Sequence, residues 1–158
     1  MRRASSRPGP LRPWHERERC AKLRSISGDC SNFAHSPIKV RGKTWPTTEH
    51  FFQAQKFENA SDQEELRRAN SPMLAARMGQ DRKRKLRRDW ESVKVAVMRE
   101  ALQAKFSQHE DLARLLQAIG DAKLVEPTEH DDSWGDGGDG SGSNMLGRLL
   151  LELRAAAR

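Results

Sequence analysis

The chain has 158 residues and a mean hydropathy of −0.88, a size suited to one domain with a real core and too small for an expected second one. It contains no apolar run of membrane-spanning length, and its arginine-rich start has no apolar h-region, so neither a membrane span nor a Sec signal is expected and the location read is cytoplasmic. A net charge of +7 points to nucleic acid only until it is located: residues 1–24 hold eight Lys/Arg against two Glu, which leaves the rest nearly neutral.

Residues 1–27, with Pro8, Pro10, Pro13 and few aliphatic side chains, read as a basic arm, disordered or divergent, ahead of a domain over residues 28–158. Cys20 and Cys30 are the only cysteines and no His/Cys spacing resembles a zinc site, so reduced thiols are expected, with no metal and no cofactor. Strand candidates are few. Ile38 to Val40 turns at Arg41-Gly42 toward Thr44-Trp45, and Lys123 to Glu126 is a second candidate.

Cap chemistry marks the helices. Thr47 or Thr48 opens one over about Glu49–Asn59, Ser61-Asp62-Gln63-Glu64 has the Ser-x-x-Glu form of a capping box, and Ser71-Pro72 opens a third that Gly79 is placed to stop. The cluster Arg82-Lys83-Arg84-Lys85-Leu86-Arg87-Arg88 precedes Trp90; it suits phosphate, although such runs usually face water. Val93, Val97, Met98, Ala101, Leu102 and Lys105-Phe106 then form one stripe, and Leu112, Leu115, Leu116 and Ile119 another before Gly120. The pattern predicts an α+β, predominantly helical fold: a single compact domain of several helices around a small sheet, with residues 127–143 as a loop over one end.

That loop leads from His130 through Asp131, Trp134, Gly135, Asp136, Gly137 and Gly138 to Asn144 and Gly147, ahead of a helix. Glycines admit close approach to main-chain N–H groups and a helix start offers unpaired donors, which favours an anion such as phosphate. The carboxylates suit sugar hydroxyls or proton transfer instead. A plain flexible linker is the competing reading, and Trp134 speaks against it.

A second concentration of reactive groups lies earlier. Glu49, Phe52, Gln53 and Lys56 fall at i, i+3, i+4 and i+7, so a helix places them on one face with Glu49 and Lys56 about 10 Å apart along its axis. They can converge on one small ligand. The competing reading makes Glu49 a partner of the helix dipole and Lys56 a surface charge. His50 reads as a hydrogen-bonded packing residue.

Ser31-Asn32-Phe33, the run from Pro37 to Phe57, Ser71-Pro72, Ala75-Ala76-Arg77-Met78-Gly79, Trp90-Glu91-Ser92-Val93-Lys94, Lys123-Leu124-Val125-Glu126 and the Asp131 to Gly147 loop together resemble the NADAR domain family, in particular its N-glycosidase branch. The resemblance covers residues 28–154. It implies a single-domain, mostly helical α+β fold that hydrolyses N-glycosidic bonds on ribose phosphates. The implied substrates are phosphoribosylaminopyrimidine intermediates of riboflavin synthesis or, alternatively, ADP-ribosylated guanine in nucleic acid.

The chemistry of such a reaction fits residues already singled out. Breaking a ribosylamine C–N bond builds positive charge on C1 and the ring oxygen, so one carboxylate stabilises the charge while an acid protonates the departing amine. Glu49 and Asp131 are the candidates. A lysine offers a second route through an imine, open to Lys56 only where desolvation or a cationic neighbour lowers its pKa. Trp90 and Trp134 would face the base or exclude water, while Gly135, Asp136, Arg77 and Asn144 would contact phosphate and hydroxyls; Asn32 and Phe33 complete the candidate binding set.

The chain also departs from the family pattern. It has no tyrosine, residues 20–27 lack the Phe-Tyr pair that usually precedes Ser-Asn-Phe, Cys30 takes the place of an aromatic, and Ser133 precedes Trp134 where another is common. One wall of the pocket is therefore expected to be missing or rebuilt, which keeps a non-catalytic ADP-ribose or nucleotide binder as a third reading.

Overall fold

The computed structural model describes residues 28–120, 122, 124–126, 131, 133–138 and 141–157. The basic arm expected over residues 1–27 lies outside them, as do Cys20, Lys123 and His130.

The fold begins with a hairpin. Strands β1 (Ile38–Val40) and β2 (Lys43–Trp45) pair antiparallel with Ile38 opposite Trp45 and Val40 opposite Lys43. Arg41 and Gly42 both have positive φ, 52° and 77°, the turn whose twist matches the flanking strands. A non-glycine residue at such a φ needs support, and the Arg41 guanidinium receives it from Glu100 at 2.7 Å and Gln55 at 2.8 Å. Ile38 and Val40 point inward. The open edge of β1 is covered by Gln108, whose amide accepts from Lys39 N–H at 2.8 Å and donates to its carbonyl at 2.9 Å.

Helix α1 (Thr48–Ala54) is the centre of the molecule, and every residue in it is buried. It packs against β2 and against α2 (Ala60–Arg67), α3 (Pro72–Gly79) and α4 (Trp90–Gln108). Thr47 caps α1 by accepting the His50 N–H, as expected, but the helix ends at Ala54 rather than near Asn59. Tertiary pairing ends it: Phe57 bridges to Leu86, and Asn59 caps α2 by accepting the Ser61 N–H, in place of a Ser61 capping box. Ser71 caps α3 with Pro72 in its first turn, as the sequence indicates.

The long helix α4 is the spine, touching β1, α1, α5 (Glu110–Ala118) and α6 (Met145–Ala156). Its buried face carries Val97, Met98, Ala101, Leu102 and Phe106, the stripe expected from periodicity. Gly120, at φ 64°, follows the end of α5 in the left-handed conformation that suits a helix stop. The strand expected over residues 123–126 is not formed in the described residues; Leu124 to Glu126 run without ladder partners under the start of α6. No helix among the described residues is long and apolar enough to cross a membrane.

Lys105 belongs to the α4 stripe and is fully buried. Its ammonium donates to the carbonyls of Asp29 at 2.8 Å and Ser31 at 2.7 Å, fixing the turn that leads into Asn32. Desolvation lowers its pKa to about 8 against the partial compensation of Cys30, Asp29 and Glu126. The unfolded chain keeps this proton to about 10.5, so between the two values it binds more protons than the folded chain and Lys105 adds stability as pH rises. Lys105→Met lacks that gain. Urea unfolding at pH 7 and pH 10 is expected to show the variant losing up to about 3 kcal/mol relative to the native sequence, whereas a pH-independent difference would remove the desolvated lysine from this account.

Candidate active site

Three segments meet above α1: the turn through Asn32, the first turn of α1 itself, and the loop from Asp131 to Asn144. Glu49 is 4 % exposed. Its Oε1 accepts from Gln53 Nε2 at 2.6 Å, one helical turn on, and its Oε2 accepts from Asn32 Nδ2. The Asn32 turn is bound to the start of α1 as well, its carbonyl accepting from Glu49 N–H at 3.0 Å and Thr48 Oγ1 at 2.9 Å. Burial raises the Glu49 pKa. The two amides and the charge of Lys56 oppose that rise, and the charge of Asp131 adds to it.

Lys56 lies just past α1 in a tight turn, not on the extended helical face that the sequence suggested. The side chain still comes round to the site. Its ammonium is 6.0 Å from the Phe52 ring centroid and 5.9 Å from that of Trp90, and donates to the Gly79 carbonyl at 3.4 Å. Among the described residues it forms no ion pair. Desolvation lowers its pKa, with Lys94 adding to the fall and Glu49 and Glu91 countering it.

Asp131 uses Oδ1 to accept the N–H groups of Ser133 at 2.9 Å and Trp134 at 2.8 Å, which shapes the loop locally. Its other oxygen has no hydrogen-bond partner among the described residues. Trp134 stands edge-on to Phe52, with ring centroids 5.2 Å apart, and Phe52 meets Trp90 at 5.0 Å. Phe52 therefore joins the two tryptophans into one aromatic wall. Trp90 is largely buried in it, Trp134 is half-buried, and Phe33 stands exposed beside Asn32.

The glycine loop differs from the expected phosphate cradle. Gly135 N–H goes to the Asp131 carbonyl, Asp136 N–H to the Glu126 carbonyl and Gly142 N–H back to the Asp136 carbonyl. The first donors of α6 are also occupied, Met145 by Ser133 and Leu146 by Trp134. A helix start already capped by loop carbonyls offers an anion little. Asn144 is likewise a brace: buried at φ 46°, it donates from Nδ2 to the Leu124 carbonyl at 2.8 Å and accepts the Glu126 N–H on Oδ1 at 3.0 Å. Both ends of its amide are thus spent on backbone. Arg77 is exposed on α3, and no hydrogen bond or ion pair of its side chain joins it to the other candidates among the described residues.

His50 behaves as the packing residue its neighbours suggested. Nε2 donates to the Ala69 carbonyl at 3.0 Å, so Nδ1 accepts from Thr47 Oγ1 at 2.8 Å, and burial lowers the pKa of the neutral ring. Lys105 and Gly79 support the site without having been selected from sequence. Only Gln53, four residues after Glu49, carried a readable signal.

The profile of the NADAR domain matches residues 15–158. The chain belongs to the NADAR domain family. It is 65% identical to N-glycosidase YbiA of Escherichia coli K12 over 127 residues, 80% of this chain and 79% of that protein. A riboflavin biosynthesis protein of Vibrio vulnificus is 42% identical over 127 residues, which is 80% of this chain and 35% of that one. Among solved structures, the NMR structure of E. coli YbiA superposes with a TM-score of 0.77 at 63% identity, covering 82% of this chain and 77% of that chain.

Because Asn144 satisfies two backbone groups at once, Asn144→Ala is expected to lower unfolding free energy by about 1–3 kcal/mol, read by urea denaturation. An unchanged stability would mean that the loop is not braced there.

Proposed function

We propose that this NADAR protein hydrolyses the C–N bond between ribose 5-phosphate and the amine of phosphoribosylaminopyrimidine intermediates of riboflavin synthesis. Its class, a hydrolase acting on N-glycosyl bonds, follows from relatives named N-glycosidase at up to 65% identity. The riboflavin assignment is supported by relatives named riboflavin biosynthesis proteins. The observation that carries the reading is the buried Glu49, within the electrostatic reach of both Lys56 and Asp131 beside one aromatic wall.

In the direct route, Glu49, its pKa raised by burial, gives a proton to the amine nitrogen as the C1–N bond breaks and its electron pair leaves with the nitrogen. Asp131 faces the positive charge that develops on C1 and the ring oxygen. Water then adds to C1 and returns a proton to Glu49, so free amine and ribose 5-phosphate depart. In the second route the amine's lone pair opens the ring to an imine, Lys56 Nζ adds to C1 and expels the amine, and water hydrolyses the lysine imine. The lowered pKa of Lys56 favours this route, since only the neutral amine is a nucleophile. Phe33, Trp90 and Trp134 supply apolar surface for the base.

One observation favours a larger substrate. Arg82, Lys83, Lys85 and Arg88 are exposed without ion pairs among the described residues, and their segment joins the site where the Arg87 N–H donates to the Lys56 carbonyl at 2.8 Å. ADP-ribosylated guanine in nucleic acid would use such cations, and its turnover would fall steeply with salt while that of a small metabolite would not.

Glu49→Gln is expected to fold normally and to lose hydrolysis of phosphoribosylaminopyrimidine by about 10²-fold or more, followed as ribose 5-phosphate release. Lys56→Arg separates the routes, since it keeps the charge and forbids the imine. Borohydride added during turnover, with peptide mass spectrometry, should find the reduced sugar on Lys56; its absence from an active enzyme leaves the direct route alone.

A further inference from the structure

Gly79 is the last residue of α3 and is buried with ordinary helical backbone, so its freedom to adopt positive φ is not in use. The expected role as a helix stop is therefore not the reason for a glycine here. A Cβ at this position would run into the side-chain amide of Gln53, with Cδ only 2.8 Å away and Cβ at 3.1 Å. Gln53 is 6 % exposed, its Oε1 is buried without a hydrogen-bond partner, and its Nε2 makes the 2.6 Å bond to Glu49. A buried amide oxygen left unpaired is costly, so this orientation is held by the hydrogen bond at the other end and by the space it occupies. The same Gly79 offers its carbonyl to Lys56.

We infer that Gly79 is a positioning residue for the reaction: the absence of a Cβ leaves the space in which the Gln53 amide lies, and that placement delivers Nε2 to the Glu49 carboxylate. The inference rests on the assignment of Glu49 as the acid. Alanine is a better helix former than glycine, so Gly79→Ala suits α3 locally; the two closest atoms it displaces, Gln53 Oε1 and Cδ, belong to the end of a flexible side chain, while Gln53 Cβ at 3.1 Å must give by a few tenths of an ångström. The fold is expected to survive with the Gln53 amide displaced. Glu49 then keeps Asn32 as a donor, Lys56 from the turn just past its helix and Asp131 from the loop, but loses one of two hydrogen bonds that favour its ionised form.

The test uses the full chain and two readouts. Carbon-13 NMR titration of the Glu49 carboxyl is expected to move upward by about one pH unit in Gly79→Ala and in Gln53→Ala, and the alkaline limb of the pH–rate profile for phosphoribosylaminopyrimidine, where the acid has lost its proton, should move with it. The double variant Gly79→Ala/Gln53→Ala should match Gln53→Ala alone, because the glycine acts only through the glutamine. Should Gly79→Ala fail to fold, the double variant is expected to fold, since the two closest obstructing atoms, Gln53 Oε1 and Cδ, are gone. A Glu49 titration unmoved by Gln53→Ala, or a Gly79→Ala effect that persists in full without Gln53, overturns the inference. The NMR titration needs no substrate. Activity retained by Glu49→Gln would instead refute the assignment of the acid and leave the Glu49–Gln53–Gly79 geometry standing.

Discussion

The site depends on keeping one carboxylate out of water without neutralising it outright. An unpaired charge in a protein interior is costly enough that the group usually gives up its charge, and only well-placed donors prevent this. Glu49 receives two, Asn32 from a turn and Gln53 from its own helix, while Lys56 supplies opposite charge without closing an ion pair. Burial still moves its pKa upward. A group in that condition can hold a proton and surrender it, which is what cleavage of a ribosylamine demands.

Much of the remaining structure positions those donors. Lys105 reaches from α4 to the carbonyls of Asp29 and Ser31, so the turn that presents Asn32 is fixed by a cation on a distant part of the chain. Asn144 performs the corresponding task for the far side, tying the loop that carries Asp131 and Trp134 to the segment around Leu124 and Glu126. Phe52 fills the middle, its ring touching both Trp90 and Trp134. Removal of the Phe52 ring would separate the two walls although it bears no reactive group.

What could be read from sequence was what local physics decides. The α4 and α5 stripes, the Thr47 and Ser71 caps and the Arg41-Gly42 turn all follow from periodicity, side-chain capping or φ preference, and each is present. Local signals failed where tertiary partners outbid them. A bridge from Phe57 to Leu86 shortened α1, Asn59 displaced Ser61 as a cap, and Gly79 exists for a neighbour's side chain rather than for its own backbone. In the glycine loop too, several N–H groups that looked available have partners: those of Gly135, Asp136 and Gly142 go to the carbonyls of Asp131, Glu126 and Asp136, and that of Gly138 to the Asp136 carboxylate. Spacing brought Glu49 and Lys56 to attention, but no spacing announces that Lys105 points inward.

The proposed function requires a pentose to bind between Glu49 and Asp131 with its C1 carbon facing the buried carboxylate. A crystal structure of the Glu49→Gln protein soaked with ribose 5-phosphate tests it most directly. The sugar ring is expected against the Phe52, Trp90 and Trp134 wall, with C1 next to the residue 49 amide and Lys56 Nζ within reach of it. Sugar density elsewhere, such as the apolar groove of α4, α5 and α6 lined by Phe106, Leu116 and Leu153, with the space beside residue 49 holding only water, would contradict it.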